Sequence, residues 1–497
     1  MTVMEAAACG TPSAALRVGG LPESIVEGET GALADSAPEL AARVRELLRA
    51  PAERDRLGAA AENLAVLREQ AGTAPQSLRR ALAASDTAKA AGLAAATMAA
   101  NLISLLFTVV FARVLGTDGY GSLAALVSTF LILSVPGLAL QVASARETAL
   151  GRLGEGRRLS ATHTRWMREL AIGLVVLGVV GILLRDQLAA LIGVPDEPWA
   201  AAAVLATGVA WLGLSIERGL LQGLRAYKAA GLSVIVEASG RLVLGLVLVG
   251  AGLGVTGAYL ASPLAMIVVA GGLSVVLRRR LGPPEAGAPT RRFERLVAGA
   301  WAPVLALTLL AVLQNIDVIV VKHRVGGDGA GAYAAAAVAA KVVVWVGIGL
   351  AYYLVPEAAR RAQAGGNPRG ALARALAIIA LVAAPMLLVY GAAPGLVLKL
   401  GFDVDYAGAD QALVVLGVAM TLLAVASLAV QYMLAIEQYS FMWLLAVVAA
   451  LEPLLLSNAG KSLVGLATVV LALQCIAASG MLALSLRAPR RAAAALP

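Results

Sequence analysis

From about residue 91 to residue 486 the chain alternates long apolar runs with short polar breaks. The runs fall at 91–115, 121–145, 168–184, 199–222, 229–250, 254–276, 297–321, 331–356, 371–391, 410–433, 439–457 and 462–486. At 1.5 Å of rise per residue, runs of this size cross a hydrocarbon core of about 30 Å as helices. The pattern therefore predicts an all-α polytopic membrane protein of about twelve transmembrane helices. The break between the first two runs, Gly116-Thr117-Asp118-Gly119-Tyr120-Gly121, returns 210 residues later as Gly326-Gly327-Asp328-Gly329-Ala330-Gly331, again between apolar runs. No strand precedes either copy, so each reads as a turn and not as a phosphate loop. A unit used twice implies two six-helix bundles related by an axis along the membrane normal, with a route between them.

Residues 1–75 follow another pattern, in which Pro12 and Pro22 mark breaks. They read as a helix, a short strand, a Gly-Gly turn into a helix, a hairpin-like connection, and two amphipathic helices from Ala37 to about Leu67. The expected organisation is a small α/β segment at 1–75, a linker with a juxtamembrane helix at 76–90, and helical bundles at 91–290 and 291–490.

Composition agrees with the pattern: 60% of residues are apolar, 14% are charged and the mean hydropathy is +0.82. The net charge of +9 does not signal nucleic acid, because the basic residues lie in short loops and not on one polar face. They cluster at 146–168, 278–295, 360–374 and 487–491, while the alternate loops carry Asp118, Asp186, Asp196, Glu197, Asp328, Asp403, Asp405 and Asp410. That asymmetry predicts both termini on the cytoplasmic side. Residues 1–30 lack a basic start followed by an apolar core, so no cleavable signal peptide is expected. Two cysteines, Cys9 and Cys475, and two histidines, His163 and His323, provide neither metal-ligand spacing nor a Ser-His-Asp set, and no cofactor is expected.

Ionisable residues inside the runs are the candidate chemistry, since each costs at least ~2.5–3.5 kcal/mol in the bilayer centre. Glu237 and Arg241 sit one turn apart in the fifth run, either as a self-neutralising pair or facing a cavity. Lys341 stands mid-run with no acid within a turn, too deep for its ammonium to reach the surface, and either lines a cavity or pairs with Asp317 or Glu237. Gln314, Asn315 and Asp317 cluster in the seventh run, fit to hold a cation, to bond a sugar or to pack against another helix. Arg113, Glu217, Arg218, Glu357 and Glu452 lie nearer run ends, where long side chains reach the interface. Arg113 is kept among the cavity candidates.

Three stretches, FARVLGTDGYGSLAAL (111–126), ERGLLQGLRAYKAAG (217–231) and NIDVIVVKHRVGGDGAGAYAAAAVAAK (315–341), resemble the polysaccharide-biosynthesis flippases of the multidrug/oligosaccharidyl-lipid/polysaccharide exporter superfamily. The likeness spans about residues 88–486. It implies flipping of a prenyl-diphosphate-linked oligosaccharide across the inner membrane of a bacterium by two bundles rocking about a central cavity. Membrane lipids, a glycan polymerase and glycosyltransferases are the partners it implies. Two other readings stay open: a cation-coupled multidrug exporter of the same superfamily, and a membrane-tethered glycosyltransferase.

The third reading comes from the N-terminal pattern E-A-x-A-C-G-T-P, then G-G-x-P-E, then E-G-x-T-G, which resembles the donor-nucleotide half of retaining GT-B glycosyltransferases over about 65 residues. The resemblance implies that Glu5 is the second of two donor-facing glutamates, and that Gly19, Gly20 and Glu23 shape a vestigial donor loop. The first glutamate, the phosphate-holding basic residues and the acceptor domain have no counterpart here. An inactive, truncated appendage is therefore expected, the tail of a longer fusion or the result of a start placed too late.

Overall fold

The computed structural model describes residues 3–17, 21, 25–70, 86–285, 287, 293, 296, 301–345 and 369–487. It divides into two compact units, Met1–Ala95 and Ala96–Pro497.

In the first unit, helix α1 (Val3–Ala8) leads to strand β1 (Ser13–Leu16), and strand β2 (Gly31–Ala34) is followed by helices α2 (Ala37–Arg49) and α3 (Pro51–Gln70). The expected hairpin-like connection is instead a strand: β2 lies parallel to β1, with Ser13 opposite Gly31 and Leu16 opposite Ala34. Parallel pairing needs a crossover, which the intervening residues supply. Helix α2 begins where its sequence says it should. The Ser36 hydroxyl accepts from the Glu39 amide at 3.4 Å, and the Glu39 carboxylate accepts from the Asp35 amide at 3.0 Å. Glu5 lies in α1, whereas Gly19, Gly20 and Glu23 fall outside the described residues.

The second unit is helical throughout its described length. Helix α4 (Asp86–Ala149) carries the first two apolar runs, and α5 (Gly156–Leu183), the short α6 (Arg185–Ile192) and α7 (Pro198–Gly223) follow. Next come α8 (Tyr227–Leu248) and α9 (Gly254–Leu281), joined by a π-helical turn at Val249–Leu253. The second half repeats the order with α10 (Trp301–Arg324), α11 (Gly327–Ala340), α12 (Arg369–Ala392), the short α13 (Pro394–Phe402), α14 (Ala409–Ala435), α15 (Met442–Asn458) and α16 (Leu463–Arg487). Eight described stretches are long and apolar enough to cross a membrane; two of them, Ala95–Ala149 and Tyr227–Leu281, are each long enough for two crossings, and α15 is a shorter apolar helix. With α11, which leads into residues outside the description, the elements follow the twelve runs.

The repeat seen in the sequence is also a repeat of backbone conformation. Gly116 breaks α4 at φ 70, ψ 176, and Gly326 opens α11 at φ 66, ψ −176. So each six-residue break turns on its first glycine, in a conformation that costs other residues strain, and in the second break Gly327 follows at φ 50. The short helices α6 and α13 likewise end in left-handed residues 210 positions apart, Gly193 and Asp403.

Side chains at the seams are small. Residues 329–337 of α11 are all buried, and eight of these nine are alanine or glycine, which lets neighbouring helices approach closely. Contacts between the halves at the end where the aspartate loops are include Arg113 with the Leu400 carbonyl, Asp118 with Lys322, and Tyr120 with Phe402.

Candidate functional site

Each half buries its own polar cluster. In the second half, α10 puts Asn315 and Asp317 in the interior, α11 contributes Tyr333 and leads into Lys341, and α15 and α16 contribute Glu452 and Gln474. The Lys341 ammonium donates to Asn315 Oδ1 at 3.2 Å, and the Asn315 amide donates to the Ala311 carbonyl at 2.9 Å. The Tyr333 hydroxyl donates to Asp317 Oδ2 at 3.1 Å. Asp317 and Glu452 are both 0% exposed and lie within electrostatic range of Lys341 and of one another. Lys341 interrupts its helix as a turn residue, its amide shared between the Ala337 and Val338 carbonyls.

This cluster is short of donors. Asp317 Oδ1, both Glu452 oxygens and Gln474 Oε1 are buried with no hydrogen-bond partner among the described residues. Two carboxylates and one ammonium leave an excess of acceptor oxygens in a low-dielectric interior, where an unpaired polar group costs about 1–3 kcal/mol. Such a set can take up a proton, while among the described residues no three acidic, histidine or cysteine side chains gather to hold a metal ion.

The first half buries a different set. His163 Nε2 lies 2.9 Å from Glu217 Oε1, which also accepts from the Ser274 hydroxyl. The next residue, Arg218, points to α8, where it donates to Ser233 Oγ and to the Ser233 carbonyl, each at 3.0 Å, and pairs with Glu237 at 3.7 Å. Its guanidinium also lies 5.8 Å from the centre of the Trp211 ring, and the Trp211 N–H donates to the Ser134 carbonyl. Arg241 turns elsewhere: it donates to Ser104 Oγ at 2.7 Å and lies over the Phe107 ring at 4.9 Å.

The structure thus brings together Lys341, Asn315 and Asp317, leaves Gln314 half-buried on the same helix, and puts Glu237 and Arg241 in the other half with separate partners. The self-neutralising Glu237–Arg241 pair gives way to Glu237–Arg218. Arg113 is exposed and bonds across the halves near one end of the bundle. Glu217, Arg218 and Glu452, expected to reach the interface, are instead buried at 0%, 3% and 0% exposure, because each meets a neighbouring helix before it meets solvent. Glu357 lies outside the described residues. His163, Ser274, Tyr333 and Gln474 were not among the expected site residues. For Glu452, the sequence signal was a lone acid inside an apolar helix.

A two-fold repeated helical bundle with ionisable groups buried in each half is the architecture of a membrane transporter. The sequence pattern of the polysaccharide biosynthesis protein family matches residues 87–353, more than half of the chain, and the chain belongs to that family. Residues 1–64 match the glycosyl transferases group 1 family. No curated protein matches in sequence. Among solved structures, the fold is similar to the inward-facing conformation of a multidrug resistance MATE family transporter of the MOP superfamily, at TM-score 0.65 and 15% identity, covering 79% of this chain and 94% of that one. It is also similar to the lipid II flippase MurJ in an inward closed conformation, at TM-score 0.59 and 11% identity, covering 78% and 86%. A third likeness, at TM-score 0.53 and 16% identity over 82% and 96%, is to a MOP superfamily transporter from Pyrococcus furiosus described by the reverse polarity of its binding pocket.

Proposed function

We propose that this chain is a flippase that moves a prenyl-diphosphate-linked oligosaccharide across the cytoplasmic membrane of a bacterium for cell-surface polysaccharide synthesis. Membership of the polysaccharide biosynthesis family carries the reading, and the likeness of the fold to a lipid II flippase supports it. The arginine-rich loops at 146–168, 278–295 and 360–374 face the cytoplasm, as do both termini. Bundles at 91–290 and 291–490, preceded by a linker at 76–90, move about a route between them. Lys341 in one half and Arg241 in the other supply cations for a diphosphate head group, since charge-assisted contacts to phosphate exceed neutral ones. Glu237, Asp317, Asn315, Gln314 and Arg113 complete the polar set along that route. Residues 1–75 transfer no sugar, and Glu5, Gly19, Gly20 and Glu23 are remnants of a donor loop. A glycan polymerase and glycosyltransferases are its working partners.

One observation favours the second reading, a cation-coupled exporter: Asp317 and Glu452 are buried with carboxylate oxygens that have no hydrogen-bond partner among the described residues. The two readings part on cargo. The test is the sidedness of lipid-linked glycan in cells lacking the protein and in cells carrying it again. The flippase reading requires the glycan to collect on the cytoplasmic leaflet without the protein. Unchanged sidedness together with raised drug sensitivity selects the exporter.

A further inference from the structure

Part of the contact between the two halves repeats at the same 210-residue offset as the sequence. Gly121 packs against Gly331, its own counterpart: a Cβ on Gly121 would lie 2.8 Å from the Gly331 nitrogen, and one on Gly331 would lie 1.8 Å from the Thr117 carbonyl oxygen. Two equivalent residues meet only at the axis that relates them, so the pseudo-two-fold passes between these glycines. One flanking contact has a matched counterpart. Arg113, near the end of the first run, donates to the carbonyl of Leu400 in α13 at 2.7 Å. Its counterpart His323, near the end of α10, lies with its backbone against Gly193, where a Cβ would come within 2.7 Å, at the end of α6. Helices α6 and α13 are themselves counterparts, so each half lays the end of its first helix on the short helix of the other.

We infer that the two glycine-broken elbows are a gate: they close the aspartate end by docking as a self-complementary pair, and the Gly121–Gly331 backbone contact on the axis is its seal. The inference rests on reading the chain as a transporter whose halves part at this end. It names the surface that must separate. At the seal the Thr117 methyl is the one side-chain atom among the nearest neighbours of the two glycines. The others are backbone atoms, which yield only if the helices move apart. Under 3.0 Å something must shift, so even one methyl group at either position wedges the elbows. Around the seal, the Asp118–Lys322 ion pair and the tilted Tyr120–Phe402 contact at 5.9 Å come apart when the gate opens.

The test uses the full chain with Cys9→Ser and Cys475→Ser, reconstituted in vesicles without substrate. Asp118→Cys with Lys322→Cys reports closure as a disulfide-linked bridge made by a short bis-methanethiosulfonate reagent, and Ala124→Cys, buried beneath the elbows, reports opening by reaction with an impermeant maleimide. In the glycine parent the bridge forms and Ala124→Cys is protected. Gly331→Ala and Gly121→Ala slow the bridging by about tenfold and expose Ala124→Cys, as a population shift toward the parted state requires. Gly272→Ala, with open space around it, changes neither. Parental bridging rates in both glycine variants overturn the gate. Should neither variant accumulate, the bridge itself decides: locking the parent stops export and a reductant restores it, while export from the locked chain at the unlocked rate overturns the inference. Because closure is read without cargo, a chain that gates as described yet leaves glycan sidedness unchanged removes the flippase reading and leaves the gate standing.

Discussion

Glu237 forms its ion pair with Arg218 on α7, at 3.7 Å, and not with Arg241 one turn along its own helix. A pairing between helices ties α7 to α8 and buries both charges, whereas a pairing along one helix ties nothing together. Arg218 holds the Ser233 hydroxyl and carbonyl as well, so it is the hub of that contact.

Removing one partner of such a pair strands the other. Arg218→Ala is expected to lower stability by about 3–5 kcal/mol, while Arg241→Ala, which loses one hydrogen bond to Ser104, costs about 1 kcal/mol. Arg218→Leu with Glu237→Leu recovers most of the loss. Thermal unfolding of the purified variants in detergent ranks them, and an Arg241→Ala protein as unstable as Arg218→Ala contradicts the assignment.

Lys341 has two jobs to separate. As the ammonium beside Asp317 and Glu452 it balances charge, and as a cation facing the route it meets phosphate. Lys341→Ala is expected to reduce the amount of folded protein, and adding Asp317→Asn to restore it without restoring export. Export per folded molecule is the measurement. Full export from the double variant makes Lys341 a counter-ion alone.

Glu452 has two buried oxygens without partners among the described residues. Glu452→Gln removes a buried charge and supplies a donor, so the variant is expected to fold at least as well as the parent, with a gain of up to about 1–3 kcal/mol. If the acid carries a coupling ion, the same change abolishes the dependence of transport on an imposed cation gradient. A clear loss of stability contradicts this account.

Topology is checked by single cysteines. Asp328→Cys is expected to react with an impermeant reagent applied from outside the cell, and Gly287→Cys only after the membrane is opened. The reverse pattern inverts the orientation proposed from the arginines.

Deleting residues 1–75 is expected to leave glycan export within about twofold of the parent, a change below 0.5 kcal/mol in any step. The purified full chain is expected to transfer no sugar from a nucleotide donor. Transfer by that chain ends the view of this segment as inactive.

The elbows were legible because their glycines recur at a fixed offset with an aspartate between them, and backbone conformation follows glycine closely. The spans were legible because a membrane helix must be apolar over its whole length. Depth was not legible. Glu452 and Glu217 sit near run ends in sequence, but what surrounds them is set by which helices pack alongside, and linear distance from a loop does not report that. The same reason hid His163, whose partner Glu217 lies 54 residues away.

The buried polar clusters have a further consequence for motion. Each is bonded within one half, and the seam between the halves at the aspartate end is made of glycine, carbonyl oxygen and rings, with one partly exposed ion pair. Sliding one half over the other therefore leaves both buried clusters intact and breaks two charged contacts, Arg113 to the Leu400 carbonyl and the ion pair of Asp118 with the buried Lys322. The joint behaves as a bearing whose friction is set by the fit of its surfaces and by one salt-sensitive latch, so raising the ionic strength of the medium should ease its opening.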